Sequence, residues 1–402
     1  MAKIIMDQEK IDEILERGTI VEILPTKKEF RDKLLSGEKL RFYIGFDATA
    51  PTLHLSHAKN FILLEKFRKL GHEVIILFGD FTARIGDPSG KNSVRKQLSR
   101  EDVMDNVKNW RKLVEPLMGF KDKENPPKIM YNNDWLSKLN LEDVVNLASN
   151  FTVQQMIIRD MFQRRLKEGK PVYLHEFLYP LMQGYDSVVM DVDVEVCGTD
   201  QIFNALAGRT LLKKLKSKDK YVVAVTLMEN PKTGELMSKS KGIGVFLDVS
   251  SNDMYGQIMA QPDEMIEILF VNNTYLSLEE IEDLKIFDNP RDAKIRLAFE
   301  ITKIFYGNEA AKKAKENFIK VFSKKEMPDE AEILEFKENE NIMEGLFNSD
   351  IFGSKGEIRR LIEGKGLKIN GEKTGEDYNI SKSNDGKILQ VGKKRFFKII
   401  VK

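Results

Sequence analysis

Val74-Ile75-Ile76-Leu77-Phe78-Gly79-Asp80 is the stretch that decides the fold. Five apolar residues without a polar break, closed by a Gly-Asp turn, suit a strand covered on both faces, and such strands belong to parallel sheets flanked by helices. Upstream, Leu40–Ile44 reads as a short strand and Ala58–Leu70 as a helix closed by Gly71, so the local order is strand, helix, strand. Downstream, Val192–Val196 and Val222–Leu227 read as further strands, with a helix over Gln201–Leu215 between them. Ligands of such sheets sit at the carboxyl ends of the strands, which directs attention to the turns after Ile44, Phe78 and Val196.

The expected class is therefore α/β, with a Rossmann-like doubly wound parallel sheet over residues 1–245. From Asp253 to about Phe322 apolar residues recur at helical spacing, as at Ile266, Leu269 and Phe270, so residues 246–340 read as a helical domain. The polar stretch Ser323–Asn341, with Pro328, reads as its linker. Residues 341–402 read as a small α+β domain. There Ser354 and Glu357 form a capping box before the apolar face Ile358, Leu361 and Ile362, and strands follow at Leu367–Ile369, Ile388–Val391 and Phe396–Val401.

The chain has 402 residues and a net charge of only +1, but the charge is unevenly spread. Residues 354–402 carry thirteen Lys and Arg against six Asp and Glu, which leaves 51 against 57 in residues 1–353. Clustered positive charge of that kind suits a polyanion, or a solvated lysine-rich face. A single cysteine, Cys197, excludes an internal disulfide and a thiolate cluster and fits a reducing compartment, so a cytoplasmic address is expected. The opening residues mix charges throughout, and neither a secretory signal nor a membrane-spanning run is read anywhere in the chain.

Three segments carry chemistry. In the first, Tyr43 to His57, a strand gives way to a helix start, where free N–H groups and the positive helix end favour an anion such as a triphosphate. Gly45 allows close approach of a nucleotide, and His54 and His57, three apart, share a face from which both can donate to phosphate oxygens; a metal pair would need a third ligand nearby. The second, Gly79 to Lys91, has only three residues between Gly86 and Gly90 and Asn92 after Lys91, so it is not the phosphate-binding loop of the NTPases. It is a Gly/Pro-rich turn bearing Asp87, Lys91 and Arg95. The third, Leu236-Met237-Ser238-Lys239-Ser240-Lys241-Gly242, is a loop that can wrap a phosphate chain, with Lys239 as a point charge.

Taken together, and in this order, these segments resemble the class I aminoacyl-tRNA synthetases of the tyrosine type in their bacterial form. His54-Leu-Ser-His57 is similar to the family's His-Ile-Gly-His signature, and Leu236-Met-Ser-Lys-Ser240 to its Lys-Met-Ser-Lys-Ser loop. Tyr179-Pro-Leu-Met-Gln183-Gly-Tyr-Asp186 resembles the tyrosine-pocket helix, and Cys197-Gly-Thr-Asp200-Gln201 the ribose-binding turn. The pocket residues are spaced four and three apart, so they line one helix face and can converge on a small ligand.

The resemblance implies roles. Tyr43 and Asp186 would read the phenolic hydroxyl of tyrosine; Asp87, Tyr179 and Gln183 would hold its ammonium group, with Gln201 near its carboxylate. Gly45, Asp47, Gly198, Asp200, Met237, Ser238 and Ser240 would contact ATP. His54, His57, Thr49, Lys239, Lys91 and Arg95 would stabilise the triphosphate as pyrophosphate leaves. Mg²⁺ is expected to come with ATP, and no protein side chain is assigned to it. Arg359, Arg360, Lys365 and Lys368 of the tail would face tRNA phosphates, and a homodimer acting on tRNA(Tyr) is implied, with no membrane partner. One departure is plain: Leu236 stands where the loop has its first lysine, a charge that Lys232 or Lys241 could supply. The rival readings are a tryptophanyl relative, a nucleotidyltransferase with the same His-x-x-His turn, and a non-catalytic RNA-binding protein of synthetase shape.

Overall fold

A computed structural model describes residues 3–86, 98–237, 244–323, 332–349, 351–352, 354–392 and 395–402. The chain divides into two compact units, Met1–Ala311 and Lys312–Lys402.

The first unit is built on a six-stranded sheet. Its strands are β1 (Ile20–Leu24), β2 (Arg41–Phe46), β3 (Glu73–Phe78), β4 (Lys128–Tyr131), β5 (Val194–Gly198) and β6 (Tyr221–Val225), in the spatial order β1-β6-β5-β2-β3-β4. The five strands from β2 to β6 are mutually parallel, and β1 closes one edge antiparallel to β6. The α/β class and the central strands match the sequence reading; the antiparallel edge adds to it. From β2 the chain builds β3 and β4 to one side, then returns to place β5 and β6 on the other. A crevice therefore opens between the carboxyl ends of β2 and β5, the place where this architecture binds ligands.

Side-chain burial explains the strand readings. Val74 to Phe78 are all buried, as a strand covered on both faces requires. Cys197 lies on β5 with 5% exposure, packed against Ala205 and Val222, and burial pushes its thiol up. The helix Leu55–Lys69 stacks Phe67 on Phe42 of β2 with ring centroids 4.4 Å apart. It ends at Gly71, whose φ of +97° strains any other residue. The helices Leu174–Met190 and Ile202–Lys216 touch through glycines: a Cβ on Gly184 would lie 2.9 Å from Leu211 and 3.2 Å from the Gly208 nitrogen.

Helices Ser251–Met259, Ile266–Asn273, Leu278–Asp283 and Pro290–Tyr306 fall in the first unit, tied to it by polar contacts. Asn273 donates to the Leu55 carbonyl at 2.9 Å, and Arg17 donates to the Val271 carbonyl at 2.8 Å.

The second unit carries a five-stranded sheet in the order β7-β11-β10-β8-β9, formed by Glu332–Phe336, Arg395–Val401, Ile388–Val391, Leu367–Ile369 and Glu372–Lys373. Strand β7 corrects the linker reading of Ser323–Asn341: residues 332–336 pair in parallel with β11. Ser354 accepts from the Glu357 N–H at 3.3 Å and starts the helix Lys355–Glu363, which buries Ile358 and Ile362 as its spacing predicts. Among the described residues no helix is long and apolar enough to cross a membrane.

Candidate active site

The crevice is floored by residues that leave room. Gly45, near the end of β2, is exposed, and a Cβ there would meet only Leu77, at 3.9 Å. Gly79, just after β3, is bare for another reason: a Cβ would strike Asp47 Oδ1 at 2.1 Å and Thr82 Oγ1 at 2.2 Å. That gap lets the Asp47 carboxylate lie across the turn, where it accepts from the hydroxyls of Thr82 at 2.7 Å and Tyr179 at 2.8 Å.

From Asp47 a polar chain runs to Asp186. Asn132, in the turn after β4, donates to Thr82 Oγ1 at 3.0 Å and to Asp186 Oδ2 at 3.3 Å, while its Oδ1 accepts from the Phe81 N–H at 3.0 Å. Trp135 Nε1 donates to Asp186 Oδ1 at 2.7 Å. Asp186 is 2% exposed; burial pushes its carboxyl well above the usual range, against these two donors, and the nearby Glu195 and Asp47 charges push the same way. Tyr179, Gln183 and Asp186 all project from the helix Leu174–Met190, the arrangement their spacing predicts.

Beside this chain Tyr43 is fully buried, its hydroxyl 2.9 Å from Ser187 Oγ. Ser187 also receives Lys220 Nζ at 2.7 Å, and Lys220 forms a buried ion pair with Glu195. Gln183 donates to the second oxygen of Glu195 at 2.9 Å, which fixes its amide. Burial holds the Tyr43 phenol well above its ordinary range, and Glu195 and Asp186 add to the effect. Tyr43 therefore stays protonated at neutral pH.

The histidine turn sits at the start of the helix Leu55–Lys69. The His54 and His57 rings lie 4.1 Å apart, and the His54 backbone N–H donates to His57 Nδ1 at 3.4 Å. With Nδ1 accepting, the proton of neutral His57 is on Nε2, which becomes its donor. Burial brings His54 down to about 4 and His57 well below its ordinary range, and Lys59 contributes to both. Lys59 is itself buried and pushed down to about 7, its ammonium donating to Asn60 at 2.9 Å. Both imidazoles are thus neutral donors at pH 7. Thr49 precedes them in the segment after β2, its N–H donating to the Asp47 carbonyl at 2.8 Å.

At the end of β5 a Cβ on Gly198 would come 2.5 Å from Asp200 Oδ1, so the glycine makes way for that carboxylate. Gln201 accepts from Asn204 at 2.7 Å and donates to Asp200 at 3.4 Å. Met237 is 8% exposed and packs at Gly244, where a Cβ would meet it at 3.2 Å. Lys232, one of the two lysines that could replace the charge missing at Leu236, is ion-paired with Glu264. Asp87, Lys91, Arg95, Ser238, Lys239, Ser240 and Lys241 lie outside the described residues.

In the second unit Arg359, Arg360 and Lys365 are exposed and Lys368 is half-buried on β8. Arg359 is partly neutralised by Glu376 at 3.2 Å.

The structure thus gathers Tyr43, Asp47, Tyr179, Gln183 and Asp186 around one crevice. It adds Thr82, Asn132, Trp135, Ser187, Glu195 and Lys220, which sequence reasoning missed. Asn132 and Trp135 follow the four-residue strand β4, too short to stand out; had it been read, the strand-end rule would have pointed to them. Ser187 is the next residue after Asp186, and only its burial reveals a polar role.

The family model for tRNA synthetases class I (W and Y) matches residues 35–323. The chain is 40% identical over 400 residues to the tyrosine–tRNA ligase of Thermotoga maritima, covering 98% of each chain. It is also 40% identical over 405 residues to that of Carboxydothermus hydrogenoformans, covering 96% of this chain and 97% of the other. Among solved structures it resembles a C-terminally truncated mitochondrial tyrosyl-tRNA synthetase of Aspergillus nidulans, with a TM-score of 0.66 and 23% identity over 78% of this chain and 94% of that one. The Archaeoglobus fulgidus tyrosyl-tRNA synthetase complexed with L-tyrosine matches with a TM-score of 0.59 and 22% identity, over 77% and 100%. With a family match across most of its first unit and relatives alike from end to end, the chain belongs to the class I tRNA synthetases of the tryptophan and tyrosine group.

Proposed function

We propose that the chain is a tyrosine–tRNA ligase, which activates L-tyrosine with ATP to tyrosyl-adenylate, releases pyrophosphate, and transfers tyrosine to the 3′ end of tRNA(Tyr). The observation that carries this reading is the buried pair Asp186 and Tyr43. Asp186 is held by Trp135 and Asn132, and Tyr43 sits beside it on β2, the strand that carries the open Gly45 near its end. A buried carboxyl and phenol would satisfy a ligand hydroxyl and be left unpaired by phenylalanine, and polar sites of this kind reject such analogues strongly. The relatives' names favour this reading over a non-catalytic one.

No protein nucleophile is required, because the tyrosine carboxylate attacks the α-phosphorus of ATP itself, and catalysis is positioning and charge stabilisation. Asp87, Tyr179 and Gln183 would hold the ammonium group and Gln201 would lie near the carboxylate. Gly45, Asp47, Gly198, Asp200, Met237, Ser238 and Ser240 would contact the nucleotide. Neutral His54 and His57 would donate to the phosphates, joined by Thr49, Lys91, Arg95 and Lys239. Mg²⁺ would be carried by the triphosphate; among the described residues no three His, Cys, Asp or Glu side chains gather as a metal site.

Residues 1–245 would activate the amino acid, 246–340 would contact tRNA, and 341–402, through Arg359, Arg360, Lys365 and Lys368, would grip RNA phosphates. A homodimer is supported by the apolar side chains left in solvent at Leu141, Val145, Val153, Ile158 and Leu174, all between 58% and 80% exposed. A cytoplasmic address is supported by the lone cysteine.

Pyrophosphate exchange with each amino acid in turn tests the reading. Exchange with tyrosine alone is expected; exchange with tryptophan instead, or with no amino acid, would overturn it. Lys239→Ala should slow adenylate formation far more than it weakens tyrosine binding, as loss of a contact made in the transition state does.

A further inference from the structure

Lys59 stands two residues after His57 on the helix Leu55–Lys69, and only 3% of it is exposed. A lysine so placed does not reach water, and its charge is costly unless something pairs with it. Its hydrogen bond goes to a neutral acceptor, Asn60 Oδ1, at 2.9 Å, and among the described residues no carboxylate comes within ion-pairing distance of it. An ammonium has three hydrogens to place, so this one bond leaves it underused. An apolar side chain, like those of Ile62 and Leu63 on the same helix face, would satisfy the packing without that cost.

The neighbours do not supply the missing charge. Arg17 and Lys66 line the small space beside Lys59, together with Ile14, Ile62 and Leu63, and these two cations share one oxygen, Glu13 Oε1, at 3.0 Å each. The other groups within reach of the Lys59 charge belong to the crevice: His54 and His57 in the histidine turn, and Asp200 after β5. Burial holds the ammonium down at about 7, and the Asp200 carboxylate works against that. Both histidines are neutral at pH 7, so they offer donors but no charge. An entering triphosphate must meanwhile approach the carboxylates of Asp47 and Asp200.

We propose that Lys59 is a positioning residue of the nucleotide site, a buried cation without an ionic partner whose charge offsets Asp200 as ATP enters the crevice. This rests on the ATP-dependent reading above. The charge acts through protein rather than through water, so it carries over several ångströms without touching the ligand. Its counter-charge arrives with the nucleotide, and the protonated lysine is the form that favours binding.

The test is pyrophosphate exchange by the full chain, with the KM for ATP and for tyrosine measured from about pH 6 to about pH 8.5. At the acid end Lys59→Met is expected to raise the KM for ATP roughly tenfold, as loss of one charge in a partly desolvated site does, and to change the KM for tyrosine by no more than about twofold. The advantage of the wild type should be complete below the Lys59 value of about 7 and shrink as the pH rises above it, because the free enzyme then loses the proton that ATP binding favours. Ionisation of ATP itself affects both proteins and cancels in their ratio. Lys59→Arg, whose charge persists throughout this range, should keep the low KM for ATP at both ends. A KM for ATP that does not move in Lys59→Met, that moves in step with the KM for tyrosine, or that differs from wild type by the same factor at every pH would overturn the proposal. So would an arginine variant as weak as the methionine one. A lower Tm in Lys59→Met with both KM values unchanged would make the lysine structural, with the ligase reading intact. A wild-type chain that supports exchange with no amino acid would end that reading, and this inference with it.

Discussion

Asp186 and the histidines show how burial sets the chemistry of single residues here. The Asp186 carboxyl is raised by burial and held by two N–H donors, so Asp186→Asn would place an amide against Trp135 and Asn132 and turn an acceptor into a clash of donors. Tyrosine activation should fall by about 10- to 100-fold, the range for a hydrogen bond to a charged or strongly polar group, with the KM for ATP little changed. Steady-state exchange kinetics decide this. His72, buried beneath Leu40 and accepting its N–H at 3.3 Å, is brought down to about 4 by burial, like His54. Because the folded state binds these protons less readily than the unfolded chain, stability is complete above about pH 6.5 and declines as pH falls toward 4. Thermal melts across that window should show the decline, and His72→Asn should flatten it. Activity, by contrast, should show no histidine titration between pH 6 and 8, since His54 and His57 are already neutral there.

At the level of elements, the crossing of the helices Leu174–Met190 and Ile202–Lys216 depends on Gly184 and Gly208. Gly184→Ala would drive a methyl into Leu211 and the Gly208 backbone, and should cost about 1–3 kcal/mol, as overpacking of a close contact does. Denaturant unfolding would measure it, and tyrosine affinity should fall as well, because the displaced helix carries Tyr179, Gln183 and Asp186. This pair also shows what the sequence makes legible. The helix bearing the pocket residues was reached through the family resemblance, which their spacing fits, and strand β3 through its apolar run. Strand β1 was missed because Ile20–Leu24 is an edge strand that buries only Ile23, paired antiparallel with β6 some two hundred residues away. Strand β7 was misread as linker because only its partner β11 makes Glu332–Phe336 a strand, and no local signal reports a pairing across that separation. The polar network under the pocket escaped for the same reason: Glu195 and Lys220 are ordinary charges until the fold buries them together.

For the whole molecule, the division into two compact units makes separate losses expected. A chain ending at residue 323 should retain pyrophosphate exchange and lose most aminoacylation, since phosphate contacts position tRNA without entering the first step. Loss of exchange as well would place the second unit within the catalytic fold. The solvent-facing apolar residues of the first unit give a second test: Val153→Asp with Leu174→Asp should convert a dimer to monomer in sedimentation, with the Tm of the monomer little altered. The single cysteine, in turn, equips the molecule with an internal clock. Cys197 lies on β5, one residue before its end, and its thiol is buried and held far from the ionised form that alkylating reagents attack. Modification must therefore wait for the sheet to come apart, so the speed at which an excess of iodoacetamide consumes the thiol should report how often the first unit opens. Tyrosine and ATP, if they bind at the neighbouring crevice, should slow that clock by the factor their binding adds to stability.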